Sequence, residues 1–396
     1  MCTYTGRQLW WSVILTFLLR HGSRNAFDAD RNRGQFPENV LALCEQSWEE
    51  DRLGPRRTVT CSQNVRKHAA RVPVAQVAQI PLNMVRRLMQ MRLLEAGRLL
   101  DHWWLVCVDG TLQDRGRKRP RHESRYRYVV EAVLVGPHGT MFPLMTEFQD
   151  VYDPVRDKED CESKAFLRLS ERLHEAFPKL PICLLLDGLY PVQAVFDRLV
   201  AYRWRFIATL REGRQPTAWD EAVQTMLMSP QFVAHRRRKG EDGWVEQTLR
   251  WTRQIPFGAY EFDVVFCGEI SPSAATLWAW VTNFELEPER VAAIVNQGGR
   301  SRNNIETVFN VQKKGGFGLE HAYCANTEAS QHYHIMMQLA YILGQLLVNG
   351  LLRRLTQACR KMTDRKLIAL LCESLFIVRI DPAFPTFGQI RLCSSA

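Results

Sequence analysis

The sequence lacks any CxxC pair and any regular cysteine spacing, although it contains eleven cysteines. An odd number in a long chain, with Cys107, Cys183 and Cys267 inside apolar strand-like runs, argues against a disulfide framework and for reduced core thiols. Cys324 with His321 and His332 has no standard zinc spacing. A membrane-length apolar run is also missing. The stretch from Trp10 to Arg20 has an apolar core of about ten residues, too short to cross a bilayer. No small-residue cleavage site follows it, so it reads as a buried or partner-facing helix and not a leader. These absences predict a soluble, cytoplasmic chain without a membrane partner. Internal repeats and low-complexity tracts are absent too, which excludes solenoids and charged tails. Acidic residues fall short of basic ones, 42 against 52, for a net charge of +10. That balance favours a polyanionic partner, nucleic acid foremost, although ribosomal and membrane-surface proteins share it.

What is present is an ordinary globular composition, 46% hydrophobic and 24% charged over 396 residues. The chain can bury a core and has length for several domain-sized units. Residues 1–100 read as a helical N-terminal domain for DNA-end binding or dimerisation. Its helices fall near 7–21, 38–52, 61–79 and 82–99, with a charged loop over 25–37 and a break at Pro81. Residues 101–210 alternate between strand and helix. Residues 211–285 carry short strand-like runs between Gly and Pro and read as an all-β insertion, with 235–240 as a basic turn. Residues 286–350 return to helix, including a long one from Glu328 to Val348. Residues 351–396 form a helical region and tail. The expected fold class is α/β: an RNase H-like core with a mixed sheet, interrupted by the β insertion and flanked by terminal helices.

Three carboxylates stand out. The apolar runs WLVCVDG and ICLLLDG each end on an aspartate followed by glycine, Asp109 and Asp187. Continuous apolar runs of this kind are strands buried on both faces, so both acids are expected at strand ends. Glu306 lies in a helical stretch where Arg302, Glu306, Asn310 and Lys313 follow at steps of four, four and three. That spacing predicts one polar stripe, with Ile305, Val308 and Phe309 docking beside it and Ser301 as the cap. Taken singly, each acid has an ordinary role as a turn, cap or surface ion-pair residue. Together they suit two divalent ions, Mg²⁺ or Mn²⁺, held for phosphodiester chemistry by Asp109, Asp187 and Glu306 as catalytic and metal-binding residues. Phosphate contacts are expected from Arg302 and Lys313, from Arg117, Lys118 and Arg119 beside the first aspartate, and from Arg237 and Arg238 in the basic turn.

These segments resemble the DDE transposases of bacterial insertion sequences, of the β-insertion type grouped with family four. The resemblance covers roughly residues 100–350. The family signature Tyr-x2-Arg-x3-Glu-x6-Lys is matched at Arg302, Glu306 and Lys313, and GLEH at 318–321 is a familiar sequel. Gly299 stands at the tyrosine position. The resemblance implies an RNase H-like fold and an enzyme of the bacterial cytoplasm, associated with the nucleoid. It would bind double-stranded DNA, both transposon ends and target, cleave it and join the freed 3′-OH ends. An insertion tryptophan that stacks on a flipped base is also implied, with Trp244 and Trp251 as candidates. Cutting two ends in concert implies a homodimer on paired ends, through the N-terminal region or the long helix. A nuclease of the same fold without strand transfer, or an inactive DNA-binding relative, would share most of these features.

Overall fold

A computed structural model describes residues 4–45, 58–115, 126–150, 162–240, 243–380 and 392. The chain forms a mixed nine-stranded sheet with helices at both ends. The N-terminal helices are α1 (Gly6–Leu18), α2 (Arg24–Asp30), α3 (Phe36–Leu43), α4 (Ser62–Ala69) and α5 (Val74–Gln90). Thr5 and Gln8 form a reciprocal capping box at the start of α1. The expected loop over 25–37 is largely helical, because Ser23 caps α2 by accepting from the Ala26 N–H. The expected break at Pro81 falls at Pro73 instead. Pro81 lies inside α5, where the buried stripe Val77, Leu82, Val85 and Leu88 outweighs one lost backbone hydrogen bond.

The sheet begins with β1 (Trp104–Arg115), β2 (Tyr126–Val135) and β3 (Met141–Asp150), an antiparallel meander. Helix α6 (Glu162–Ala176) leads to β4 (Ile182–Leu186), and α7 (Gln193–Ala201) leads to β5 (Arg205–Thr209). β4 is parallel to both β1 and β5. All five residues of β4 are buried, as a central strand covered on both faces requires. Each such side chain contributes about 1.5–3 kcal/mol by leaving water.

Residues 211–285 are not all-β. They open with α8 (Pro216–Met228), which starts on a proline pre-set for the first helical turn and buries Ala218 and Ala222. Four strands follow: β6 (Val233–Lys239), β7 (Trp244–Phe257), β8 (Tyr260–Ile270) and β9 (Ala275–Thr282). The expected basic turn at 235–240 is therefore mostly strand, paired with β7 from Val233↔Arg250 to Lys239↔Trp244. β9 pairs with β5, so these strands extend the main sheet in the order β3-β2-β1-β4-β5-β9-β8-β7-β6.

The chain then returns through α9 (Val291–Ala293), a π-helical turn at Ile294–Gly298 and a 3₁₀ turn at Gly299–Asn303. Helix α10 (Asn304–Lys314) and the long α11 (Thr327–Leu347) follow. Ser301 is not the cap of α10; its hydroxyl donates to the Gln297 carbonyl. Asn326 caps α11 by accepting from the Ala329 N–H. Short α12 (Arg353–Leu355) and α13 (Gln357–Arg360) precede α14 (Asp364–Ile377). Among the described residues one helical stretch, Thr327–Leu355, has the length and apolarity to cross a membrane, and most of it is buried inside the fold. Met336, Met337, Leu339, Ala340 and Ile342 are all buried within the single chain, so these positions offer no free face for a partner.

Candidate active site

β1 and β4 pair in parallel only as far as Val108↔Leu186. The next residue on each is the aspartate, Asp109 and Asp187. Asp109 is not at a strand end as expected: β1 runs six residues further, paired with β2 alone, to Arg115↔Tyr126. Both acids nevertheless sit where the parallel ladder opens. Their carboxylates turn back onto their own chain, with Gly110 N–H donating to Asp109 Oδ1 at 3.0 Å and Gly188 N–H to Asp187 Oδ1 at 2.5 Å. At Gly110 a Cβ would stand 2.2 Å from the Tyr128 hydroxyl, so a larger residue there would have to displace that ring from Glu162.

Arg302 enters this opening from the 3₁₀ turn. One guanidinium nitrogen, Nη2, lies 3.0 Å from Asp109 Oδ2 and 3.5 Å from Asp187 Oδ2. The other, Nη1, donates to Glu306 one helical turn on. A single arginine thus meets all three predicted acids, and the same nitrogen atom holds both aspartates in one cleft. Arg302 is buried at 5% exposure, so it faces the carboxylates and does not lie on an outer polar stripe. The π and 3₁₀ turns before α10 break the regular helical phase on which that stripe depended. The rest of the helix reading holds: Ile305, Val308 and Phe309 are buried, while Glu306 and Asn310 are exposed. Lys313 is half-buried and pairs with Glu320 at 3.4 Å.

The charges do not balance. Burial pushes the Asp109 carboxyl up to about 6; Arg302 draws it down, while Glu162 and Asp187 add to the rise. Burial also works against the Arg302 charge, but Asp109, Asp187 and Glu306 outweigh it and raise its pKa. Glu162, which no local pattern marks, opens α6 and accepts from the hydroxyls of Tyr128 at 2.8 Å and Tyr190 at 2.7 Å. Glu131 is a second missed acid, and its signal was visible as one charge inside the apolar run YVVEAVLV. It lies opposite Asp109 in the β1–β2 register, fully buried, and pairs with His334 Nε2 at 2.5 Å. Gln338 extends that network to Gln312 on α10 at 2.7 Å.

The donor set suits a hard divalent cation in kind: oxygen ligands, two of them on one shared positive centre. Among the described residues, however, no group of three or more His, Cys, Asp or Glu is gathered closely enough to hold a metal ion. The reason is Arg302, whose guanidinium stands between Glu306 and the two aspartates. Because Arg302 Nη2 also stands between Asp109 and Asp187, an ion held by any of these acids would have to take the place of the guanidinium.

The other candidates divide. Arg117, Lys118 and Arg119 lie outside the described residues. Trp251 is fully buried against Phe232 and is no base-stacking residue. Trp244 is 54% exposed, with the Arg237 guanidinium 4.9 Å from its ring centre. Arg238 points to the opposite sheet face and pairs with Glu269. A tryptophan that the sequence reading passed over, Trp278, lines a cleft of about 410 Å³ with Trp280, Asn296, Arg300, Asn303 and Asn304, directly beside Arg302. Gly299, where the resemblance has a tyrosine, borders the same cleft. A Cβ there would meet the Trp280 ring at 2.6 Å, so the indole occupies the space a larger residue would need.

No protein-family model matches this chain, and no curated protein sequence matches it significantly.

Proposed function

We propose that this chain is a DDE-type transposase with an RNase H-like core, which cleaves DNA phosphodiester bonds at transposon ends and joins the 3′-OH ends to target DNA. The observation that carries this reading is the convergence of Asp109, Asp187 and Glu306 on one buried guanidinium, Arg302, at the opening of a parallel ladder. Asp109 and Asp187 would hold the divalent ion, Mg²⁺ or Mn²⁺, with Glu306 completing a site for a second. Such ions supply Lewis acidity to the scissile phosphate and to its attacking and leaving oxygens. The chain's own part is to hold the acids rigid through strand pairing and glycine N–H donors. Arg302 offsets part of their charge until substrate arrives. The tryptophan-lined cleft beside them, with Arg300 and three asparagines, offers stacking and hydrogen bonds to an unpaired base. The partners are double-stranded DNA and a second copy of the chain on the paired end.

The test is to incubate the protein with its own flanking DNA ends and Mg²⁺, then sequence the products. Joined 3′ ends are expected. Cleavage without joining would make it a nuclease of the same fold. Asp109→Ala should lower cleavage by about 10³-fold or more, since metal ions contribute several kcal/mol to such transition states, while duplex binding stays within a few-fold. A second reading, a metal-free DNA-binding relative, is favoured by Arg302 already occupying the space between the acids; end binding with no Mg²⁺-dependent product would establish it.

A further inference from the structure

A cavity of about 420 Å³, within the size range of small-molecule sites, opens where both ends of the chain meet the helix that carries Glu306. Arg20 just past α1, Thr307 on α10, Tyr341 on α11 and the first turn of α14 all line it. Arg20 is a partly buried cation with no ion-pair partner among the described residues. Its guanidinium lies over the Phe317 ring at 3.8 Å, and Nη1 alone is engaged, donating to the Gly315 carbonyl at 3.0 Å. Burial pulls its pKa down to about 10, which the attraction of Tyr341 and Asp364 offsets only in part. Tyr341 is 5% exposed and makes no hydrogen bond to a described residue. A buried hydroxyl without a protein partner is the exception that calls for an explanation. Thr363 caps α14 by accepting from the Lys366 N–H. This helix of 14 residues turns its positive end, with Thr363, Asp364 and Arg365, to the same space. Asp364 is the one carboxylate among the described lining residues. Arg353 holds its Oδ1 at 2.5 Å, and its Oδ2 has no partner among the described residues.

We propose that this cavity binds a small phosphate-bearing molecule, of which inorganic phosphate is the simplest. Three donors reach it from separate elements: the unengaged guanidinium nitrogens of Arg20, the Tyr341 hydroxyl and the N-terminus of α14. A tetrahedral oxyanion accepts from several directions at once, whereas a carboxylate offers its lone pairs in one plane. Arg20 and Arg365, with Arg353 behind Asp364, exceed the single carboxylate in charge, so the occupant is an anion. Asp364 sharpens the choice. Its unpaired oxygen repels a fully ionised anion but accepts from a P–OH, which phosphate keeps near neutral pH and sulfate lacks. A duplex is too wide to enter a space of this size. Such a site is independent of the DNA chemistry proposed above.

Equilibrium dialysis of radiolabelled inorganic phosphate against the full chain, at constant ionic strength, measures the site. Wild type should retain one equivalent. Tyr341→Phe should weaken binding about tenfold, as loss of one hydrogen bond to a charged group does. Its melting temperature without phosphate should stay at or above that of wild type, because the lost hydroxyl has no partner in the protein. Arg20→Gln should weaken binding about tenfold or more. Sulfate should displace phosphate poorly from wild type and well from Asp364→Asn. Absence of retained phosphate in wild type overturns the proposal, as does unchanged affinity in both Tyr341→Phe and Arg20→Gln. Sulfate competing as well as phosphate for wild type overturns it too, since the cavity would then take any small oxyanion. So does stoichiometric displacement by a terminal duplex, which would give these cations to a DNA contact.

Discussion

Two carboxylate–guanidinium assemblies lie close together in this molecule and are built in opposite senses. In one, three acids, Asp109, Asp187 and Glu306, surround Arg302, and a second arginine, the exposed Arg211, reaches only Asp187, at 2.9 Å. In the other, a single acid is shared by two arginines. Glu269 meets Arg300 at 2.5 Å and Arg238 at 3.3 Å, and takes a further bond from Gln247 at 2.7 Å. The second assembly is over-satisfied. Burial opposes the Glu269 charge, yet Gln247, Arg300 and Arg238 together hold its pKa below the usual carboxylate range. The first is under-satisfied, and Asp109 is pushed up to about 6. Sign imbalance, and not burial or the number of ion pairs, is what separates a site that wants another cation from a structural lock.

Removing the central group of each assembly should sharpen this contrast most. Arg302→Ala leaves Asp109 without a cation and Asp187 with only the exposed Arg211 at 2.9 Å, which should cost about 3–5 kcal/mol in EDTA at pH 8. Mg²⁺ should recover much of that loss, because the ion takes the place of the missing charge. Glu269→Ala should cost about 2–4 kcal/mol, at the lower end because its arginines keep some contact with water, and Mg²⁺ should do nothing for it. Thermal melts of both variants with and without Mg²⁺ decide the matter. Equal indifference to Mg²⁺ would make the acid cluster a structural lock like the other.

The two assemblies should also titrate in opposite directions. Asp109 holds its proton more tightly folded than unfolded, from a usual value near 3.8 to about 6. Between those pH values the folded state binds more protons, so its contribution to stability falls as pH rises through that window. Asp109→Asn should remove this slope and leave the metal-free protein more stable above pH 6, by roughly 3 kcal/mol at most. Glu269 is held down, so its contribution is present above the unfolded value and is lost as pH falls through the lower folded value. Urea denaturation of wild type, Asp109→Asn and Glu269→Gln across pH 3–8 separates the two slopes.

The sequence made the sheet legible where strands are short, apolar and buried on both faces, as at Ile182–Leu186 and Arg205–Thr209. It hid α8, because PTAWDEAVQTMLM sits among strand-like runs and buries only Ala218 and Ala222 deeply. Asp109 and Asp187 were legible because a charge ending an apolar run has few explanations. The direction of Arg302 was not, since extrapolating 3.6-residue periodicity backward from α10 fails across a π turn and a 3₁₀ turn. Trp251 and Trp278 share one face of the sheet, and what packs on that face separates them: Phe232 over Trp251, an open cleft beside Trp278. Period-two alternation assigns a residue to a face, but it does not say which part of that face another segment covers. Glu162 lies in an acid-rich stretch where no local pattern distinguishes it from its neighbours.

The smallest effect in this comparison belongs to Lys313, the last residue of the signature. It lies one turn beyond the exposed Asn310 and pairs with Glu320 at 3.4 Å, both side chains partly open to water. A pair of that kind is worth less than about 1 kcal/mol, so Lys313→Ala should leave the melting temperature almost unchanged. If Lys313 meets a phosphate in the complex, it must first release Glu320, and the net gain is one surface contact exchanged for another. The expected signature is therefore not a large loss of affinity but a change in its salt dependence. The slope of log K against log salt should shrink by about 0.9 for one lost phosphate contact on duplex DNA. Glu320→Gln should act the other way, freeing the lysine and tightening binding slightly at low salt. An unchanged slope in Lys313→Ala, with cleavage intact, would place Lys313 outside the DNA interface and leave Arg302 and Glu306 as the working part of the motif.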